Sequence, residues 1–206
     1  KLSARELQED GHLANCHVNV IQLEDYVEYK DYQSELKYLT TNTERIAAIA
    51  RMIDKIKDSG NTLILVDRVE SGKMLQVELS TLFSLLSERP DVAFVSGATK
   101  SASRKEEYDE IANSTNKVII ATYGVAAVGI NIPRIFNLVL LEPGKSFVRV
   151  IQSIGRGIRR AQDKDHVEIW DITSTCKFSK RHLTKRKEFY KDAQYPFSVE
   201  KLKWQA

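Results

Sequence analysis

The 206-residue sequence concentrates its chemistry in one stretch, Gln152-Ser-Ile-Gly155-Arg156-Gly157-Ile-Arg159-Arg160. On a helix, Arg156 and Arg159 stand three residues apart and project from one face, while Ile154 and Ile158 supply an apolar side. Gly155 leaves room for another backbone to approach. Two neighbouring guanidinium groups suit the spread negative charge of a transferring γ-phosphoryl group, presented from outside the domain that holds the phosphates. An ordinary basic surface helix is the competing reading. Against it, each glycine would weaken a purely structural helix by up to ~1 kcal/mol.

A second stretch, Val118-Ile-Ile-Ala121-Thr122-Tyr123-Gly124-Val-Ala-Ala127-Val-Gly129-Ile-Asn131-Ile-Pro133, ends an apolar run at Thr122. A Thr after a strand is most often a cap. Its hydroxyl and the backbone N–H groups that follow can also hold a phosphate of a bound strand, and Gly124 and Gly129 permit turns that a side chain would obstruct. Ser71-Gly72-Lys73-Met74 imitates a phosphate loop, but it lacks the earlier Gly and the Ser/Thr after Lys. It reads as a helix start.

These residues need a scaffold. Short β-branched runs at 62–66, 92–95, 117–121, 138–141 and 167–172 alternate with helical periodicity at 71–87, 101–112 and 146–160. The alternation predicts a parallel sheet wrapped by helices, with strands buried on both faces and ligands at their carboxyl ends. The working edge is therefore formed by the loops after Val66, Val95, Ala121, Leu141 and Ile172. Ahead of this pattern, a helical stretch at 4–10 and an alternating one at 17–21 that reads as a strand together resemble a linker from a preceding domain. Helices follow at 29–39 and 43–57, the second opened by Thr41-Asn42-Thr43-Glu44. Behind it, a basic helix at 180–192 leads through Tyr195-Pro196-Phe197 to a frayed tail. The expected division is a linker at 1–24, an α/β domain at 25–176, and a basic helix and tail at 177–206.

Gln152-x-x-Gly155-Arg156-x-x-Arg159 resembles the last signature of helicase superfamily two, and the 118–133 stretch resembles the penultimate one at the expected distance. Asn61 to Val66 with the helix after Ser71 resembles the first strand of that family's second motor domain. Val95-Ser96-Gly97 with Arg104 resembles the family's strand-loop-helix that touches the nucleic-acid backbone. The likeness spans about residues 4–190. It implies a RecA-like three-layer α/β sandwich, the C-terminal motor domain of an ATP-dependent helicase. Arg156 and Arg159 would complete the ATP site, with Gln152, Gly129 and Asn131 at the nucleotide. Ser96, Gly97, Arg104, Thr122, Tyr123 and Gly124 would meet the nucleic acid. Asn131 stands where the family usually carries Asp, so hydrogen bonding is kept and the carboxylate is not. No G-x-x-x-x-G-K-[ST] and no Asp-Glu metal-binding strand occurs, which assigns ATP and Mg²⁺ mainly to a first motor domain before Lys1. Likeness to recombination-repair members of the family from T-even bacteriophages implies branched DNA and RNA–DNA hybrids as substrates, in the host-cell cytoplasm.

Composition narrows the classes further. Net charge is +3, but residues 177–206 hold nine Lys+Arg against three Asp+Glu, so the basic character is C-terminal. The cluster Lys177, Lys180, Arg181, Lys185, Arg186 and Lys187 either faces phosphates or forms an ordinary solvated helix face, and Lys185 and Arg186 are its candidate phosphate contacts. Cys16 and Cys176 lie outside any metal-type spacing, and both are expected to be reduced thiols. No apolar run approaches the roughly 20 residues that span a bilayer. Two further readings stay open at this point. One is an ATP-independent nucleic-acid-binding or annealing module. The other is an α/β enzyme whose arginines bind a phosphorylated small molecule.

Overall fold

The computed structural model describes residues 15–86, 91–111, 114, 116–128, 134–144, 147–148, 150–152 and 166–205. Seven strands form one sheet: β1 (Asn15–Leu23), β2 (Thr62–Val66), β3 (Val92–Val95), β4 (Val118–Thr122), β5 (Asn137–Leu141), β6 (His166–Ser174) and β7 (Phe197–Leu202). Their order is β3-β4-β2-β5-β6-β1-β7, and every pairing is parallel. The helices are α1 (Tyr32–Thr41), α2 (Thr43–Ile56), α3 (Val69–Phe83), α4 (Ser101–Ile111), α5 (Tyr123–Ala127) and α6 (Lys177–Asp192). Residues 147–148 and 150–152 are also helical.

The apolar runs of the central strands form a sheet covered on both faces. Leu63 and Leu65 of β2 face a layer that includes Ile111 of α4, Val125 of α5, Phe147, Ile151, and Leu183 and Tyr190 of α6. Ile64 and Val66 face Ile46, Ile49 and Ile53 of α2 with Leu75, Leu79 and Phe83 of α3. This is the expected three-layer α/β architecture, because a strand buried on both faces needs helices on both.

Local signals set the helix ends. The Asn42 side chain caps α2 by accepting from the Arg45 N–H at 3.0 Å, and Asp31 caps α1 by accepting from Ser34 N–H at 2.8 Å. The phosphate-loop imitation lies inside α3, and the structure explains its glycine. A Cβ on Gly72 would come within 2.5 Å of the Phe94 ring on β3, so the glycine lets helix and strand approach closely.

The expected divisions at 24/25 and 176/177 do not separate structural units. β1 is no linker: it lies between β6 and β7, in register with β6 from Asn15↔His166 to Leu23↔Ser174. The expected frayed tail is β7, paired with β1 from Val18↔Phe197 onward. Four of its six residues are exposed. An edge strand wetted on its outer side carries little of the apolar alternation that marks strands in sequence. Among the described residues no helix is long and apolar enough to cross a membrane.

Candidate functional site

The carboxyl edge gathers most of the described candidates. After β3, the backbone N–H of buried Ser96 donates to Thr99 Oγ1 at 3.0 Å, and the Thr99 N–H returns a bond to the Ser96 carbonyl at 3.0 Å. This tight turn presents Gly97 to solvent, where an added Cβ would meet nothing within 4 Å. Arg104 lies half-buried on α4, its Nη2 donating to Ser101 Oγ at 3.2 Å.

After β4, Thr122 acts as a cap: its Oγ1 accepts from the Val125 N–H at 3.3 Å and starts α5. Gly124 is exposed, and a Cβ there would meet only Thr122 Oγ1 at 3.9 Å, so no side chain is excluded by the turn. That corrects the expected reason for this glycine. Tyr123 also departs from expectation. Its ring packs against the core and its hydroxyl donates to the Leu141 carbonyl at 2.8 Å, bracing α5 on β5 rather than facing a strand.

Gln152 ends the described part of the helix that carries Phe147, Val150 and Ile151 into the core, and it is half-buried. Gly129, Asn131, Arg156 and Arg159 lie outside the described residues.

The two C-terminal candidates part company. Lys185 is exposed on α6. Arg186, expected beside it as a phosphate contact, is 1% exposed. Its Nε and Nη2 donate to the Asp171 carboxylate at 2.8 and 3.0 Å, and its Nη1 donates to the Pro143 carbonyl at 2.7 Å. Burial opposes the charge, yet Asp171 outweighs it and holds the guanidinium above its ordinary pKa. Arg186 therefore fastens α6 to β6 and is unavailable to a strand. Tyr190 joins the same carboxylate, donating at 2.7 Å, and Phe189 meets Phe147 edge-on at 5.0 Å.

A second buried network, with no sequence signal, braces the same edge. Arg45, fully buried, donates through Nε to Asp25 at 3.1 Å and through Nη2 to Glu142 at 2.9 Å. Asp25 also accepts from Ser174 Oγ at 2.6 Å and Trp204 Nε1 at 2.9 Å. Burial pushes the Glu142 carboxyl up against the pull of Arg45. Glu35 of α1 accepts from the Phe178 and Ser179 N–H groups, both at 2.9 Å, capping α6 from across the chain. The start of α6 is thus already occupied by a carboxylate.

Beside α6 opens a cleft of about 630 Å³ whose walls include Tyr32, Phe178, Arg181, His182 and Lys185. Sequence reasoning missed Tyr32 and Phe178, while Arg181 falls within the basic run at 177–187 that could face phosphates. The available signal was the spacing of Phe178 with His182 and of Arg181 with Lys185, each one helical turn apart on α6. Among the described residues the one carboxylate trio close enough to share a metal ion is Asp91, Glu107 and Glu110. It already surrounds the Lys117 ammonium at 3.2, 2.9 and 2.9 Å, so these groups do not fit Mg²⁺.

Comparison with known proteins places this edge in context. The family model for the helicase conserved C-terminal domain matches residues 44–161, more than half of the chain. The ATP-dependent DNA helicase uvsW of Enterobacteria phage T4 is 27% identical over 197 residues, covering 91% of this chain and 38% of the phage protein. Putative helicase 22 of Sulfolobus islandicus filamentous virus is 29% identical over 164 residues, 74% of this chain and 27% of the viral protein. The chain thus spans well under half the length of these relatives. The crystal structure of T4 UvsW matches with a TM-score of 0.77 at 21% identity, over 92% of this chain and 42% of that one. Domain 2 of the DEAD-box helicase Mss116p, bound to an RNA duplex, matches with a TM-score of 0.57 at 16% identity, over 90% and 64%. At these identities the structural likeness establishes a common fold.

Proposed function

Because this chain belongs to the helicase conserved C-terminal domain family, we propose that it is the second RecA-like lobe of an ATP-dependent helicase that acts on branched DNA and RNA–DNA hybrids in replication, recombination and repair. The family match over 44–161 carries the reading, since it runs from α2 through the Gln152 to Arg160 stretch. The likeness to the phage T4 ATP-dependent DNA helicase supports DNA as the nucleic acid.

In this reading ATP is the substrate, held by a first lobe whose phosphate loop this sequence lacks. Closure of the two lobes brings Arg156 and Arg159 to the transferring phosphoryl group, where guanidinium charge meets the charge spread over its oxygens. Gln152 couples that site to the nucleic acid. The loops at Gly97 and Thr122, side by side on the carboxyl edge, hold one strand, and each closure and release shifts the grip along it. No metal ligand is assigned to this chain.

The test is Arg159→Ala in the full-length protein. An arginine supplied this way contributes roughly 10³ to 10⁵ in rate, so strand-stimulated ATP hydrolysis should fall at least about a thousandfold. Strand affinity without nucleotide should stay within about twofold. Turnover within a few fold of the unsubstituted enzyme would remove the arginine from the reaction.

A further inference from the structure

We propose that the cleft between α1 and α6 binds an unpaired nucleotide of a nucleic-acid strand, its base against the rings of Tyr32, Phe178 and His182 and its phosphates on Arg181 and Lys185. The inference rests on the reading that this domain handles nucleic acid, and it is independent of the motor assignment.

The shape fits a base. The cleft encloses about 630 Å³, room for more than one nucleotide unit on the ordinary scale of ligand sites. Tyr32 and His182 meet edge-on with centroids 4.7 Å apart, and Tyr32 and Phe178 lie 6.4 Å apart, tilted. All three rings are half-buried, so each keeps surface for a further partner. Their supports are fixed, because Glu35 ties α1 to the start of α6 and Arg186 ties α6 to the sheet.

The charge fits a phosphate. Among the described residues no acidic side chain lines the cleft. Arg181 and Lys185 are exposed, one helical turn apart, and neither forms an ion pair among the described residues. The Arg181 guanidinium lies 5.5 Å from the Phe178 ring, so cation and stacking surface adjoin. The α6 N–H groups of Phe178 and Ser179 already serve Glu35, which leaves the incoming anion to the side-chain cations.

Two observations commit the occupant to an unpaired strand. Lys177, Lys180, Arg181, Lys185 and Lys187 run along α6 without an acidic residue until Glu188. Ten residues of helix cover about 15 Å, longer than the phosphates of a single free nucleotide and matched to a continuing backbone. Bases inside a duplex are stacked on both faces by their neighbours, so an aromatic cleft accepts only a base freed from pairing. The site also adjoins the edge loops. Gly144 in its wall follows β5, and β5 lies two strand positions from β4, about 10 Å from the Thr122 loop.

The experiment titrates the 206-residue chain, without ATP, into a fluorescein-labelled oligothymidine and a duplex of equal length, followed by anisotropy. Tyr32→Leu and Phe178→Leu should each weaken single-strand binding about fivefold or more while duplex binding changes less than twofold. Lys185→Ala should reduce the slope of log affinity against log salt by about 0.7. Arg181→Glu, an exposed change that keeps all three rings in the sequence, should also weaken the single strand, so the outcome does not hang on how the ring variants fold. Melting curves accompany every variant. Single-strand binding that is absent, or unmoved by all four substitutions at unchanged melting temperature, overturns the proposal. So does full competition by ATP at micromolar concentration, which would make the cleft a mononucleotide site. Loss of strand binding in Tyr32→Leu alongside intact turnover in full-length Arg159→Ala would sustain the cleft and sink the motor reading, and the converse pair would do the reverse.

Discussion

Whether Arg186 meets nucleic acid or holds the fold together can be decided by substituting its partner. Asp171 is completely buried and accepts three charge-assisted hydrogen bonds, at 2.8 and 3.0 Å from Arg186 and at 2.7 Å from Tyr190. Asp171→Asn keeps the shape and one acceptor but strands an unmatched guanidinium between α6 and β6. Removing one partner of a buried pair costs about 3–5 kcal/mol. For a chain of this size that corresponds to a fall in melting temperature of roughly 6–20 °C. With a urea m-value of about 2 kcal/mol/M, the unfolding midpoint should drop by roughly 1.5–2.5 M. The pair is out of reach of mobile ions, so the loss should be the same in low and in high salt. The double variant Asp171→Leu/Arg186→Met should recover a large part of it, because an apolar pair of similar volume leaves no buried charge. Lys185→Ala, one residue away but exposed, should stay within about 0.5 kcal/mol of the unsubstituted chain. A loss under about 1 kcal/mol for Asp171→Asn, or one that fades with salt, would refute the reasoning and return Arg186 to the candidate phosphate contacts.

Two other expectations rest on buried groups. Asn61 is fully buried, its Nδ2 donates to the carbonyls of Ile111, Ser114 and Arg134 at 2.9–3.1 Å, and its Oδ1 accepts from the Lys117 N–H at 2.8 Å; Asn61→Ala should cost about 2–4 kcal/mol in urea unfolding, and a loss below 0.5 kcal/mol would show that water replaces the clamp. Burial pushes the Cys16 thiol up to about 12 and the Cys176 thiol to about 11, and it holds the Tyr190 and Tyr195 phenols above their ordinary range. A folded pKa raised above the unfolded value contributes stability that is fully present below the unfolded value and is lost as pH rises through the folded one, so the urea midpoint should hold to about pH 8 and fall between about pH 9 and 12. A midpoint unchanged at pH 11, or iodoacetamide labelling of the native thiols at pH 8 as fast as in urea, would contradict that burial.

The legibility of this chain follows where its apolar residues sit. Strands β2 to β5 are runs of five residues or fewer, mostly Val, Ile and Leu and nearly all buried, and such runs announce themselves without any structure. β7 was hidden because an edge strand with four exposed residues is polar for the same reason a loop is polar. Arg186 misled because sequence records charge but not direction. On α6 it is the one cation turned inward, a third of a helical turn from exposed Lys185, and its partner Asp171 sits on a strand 15 residues earlier. Tyr123 misled likewise, since an aromatic beside a phosphate-type Thr gives no hint that its hydroxyl reaches Leu141.

The same physics explains why both ends of the described chain close on the site. Two buried cations and two buried carboxylates, Arg45 and Arg186 with Asp25 and Asp171, would each be costly alone. Paired, they tie α2 and α6 to residues at or near the carboxyl ends of β1 and β6. Trp204, beyond the last strand, donates to Asp25, so β7 and its tail are fastened to the network that positions α2. A charge held this way tolerates no slippage, because moving it strands its partner. If, as proposed, this edge grips a charged strand while a second lobe closes against it, that rigidity is what the task needs, and hydrophobic contacts alone, being non-directional, would not supply it.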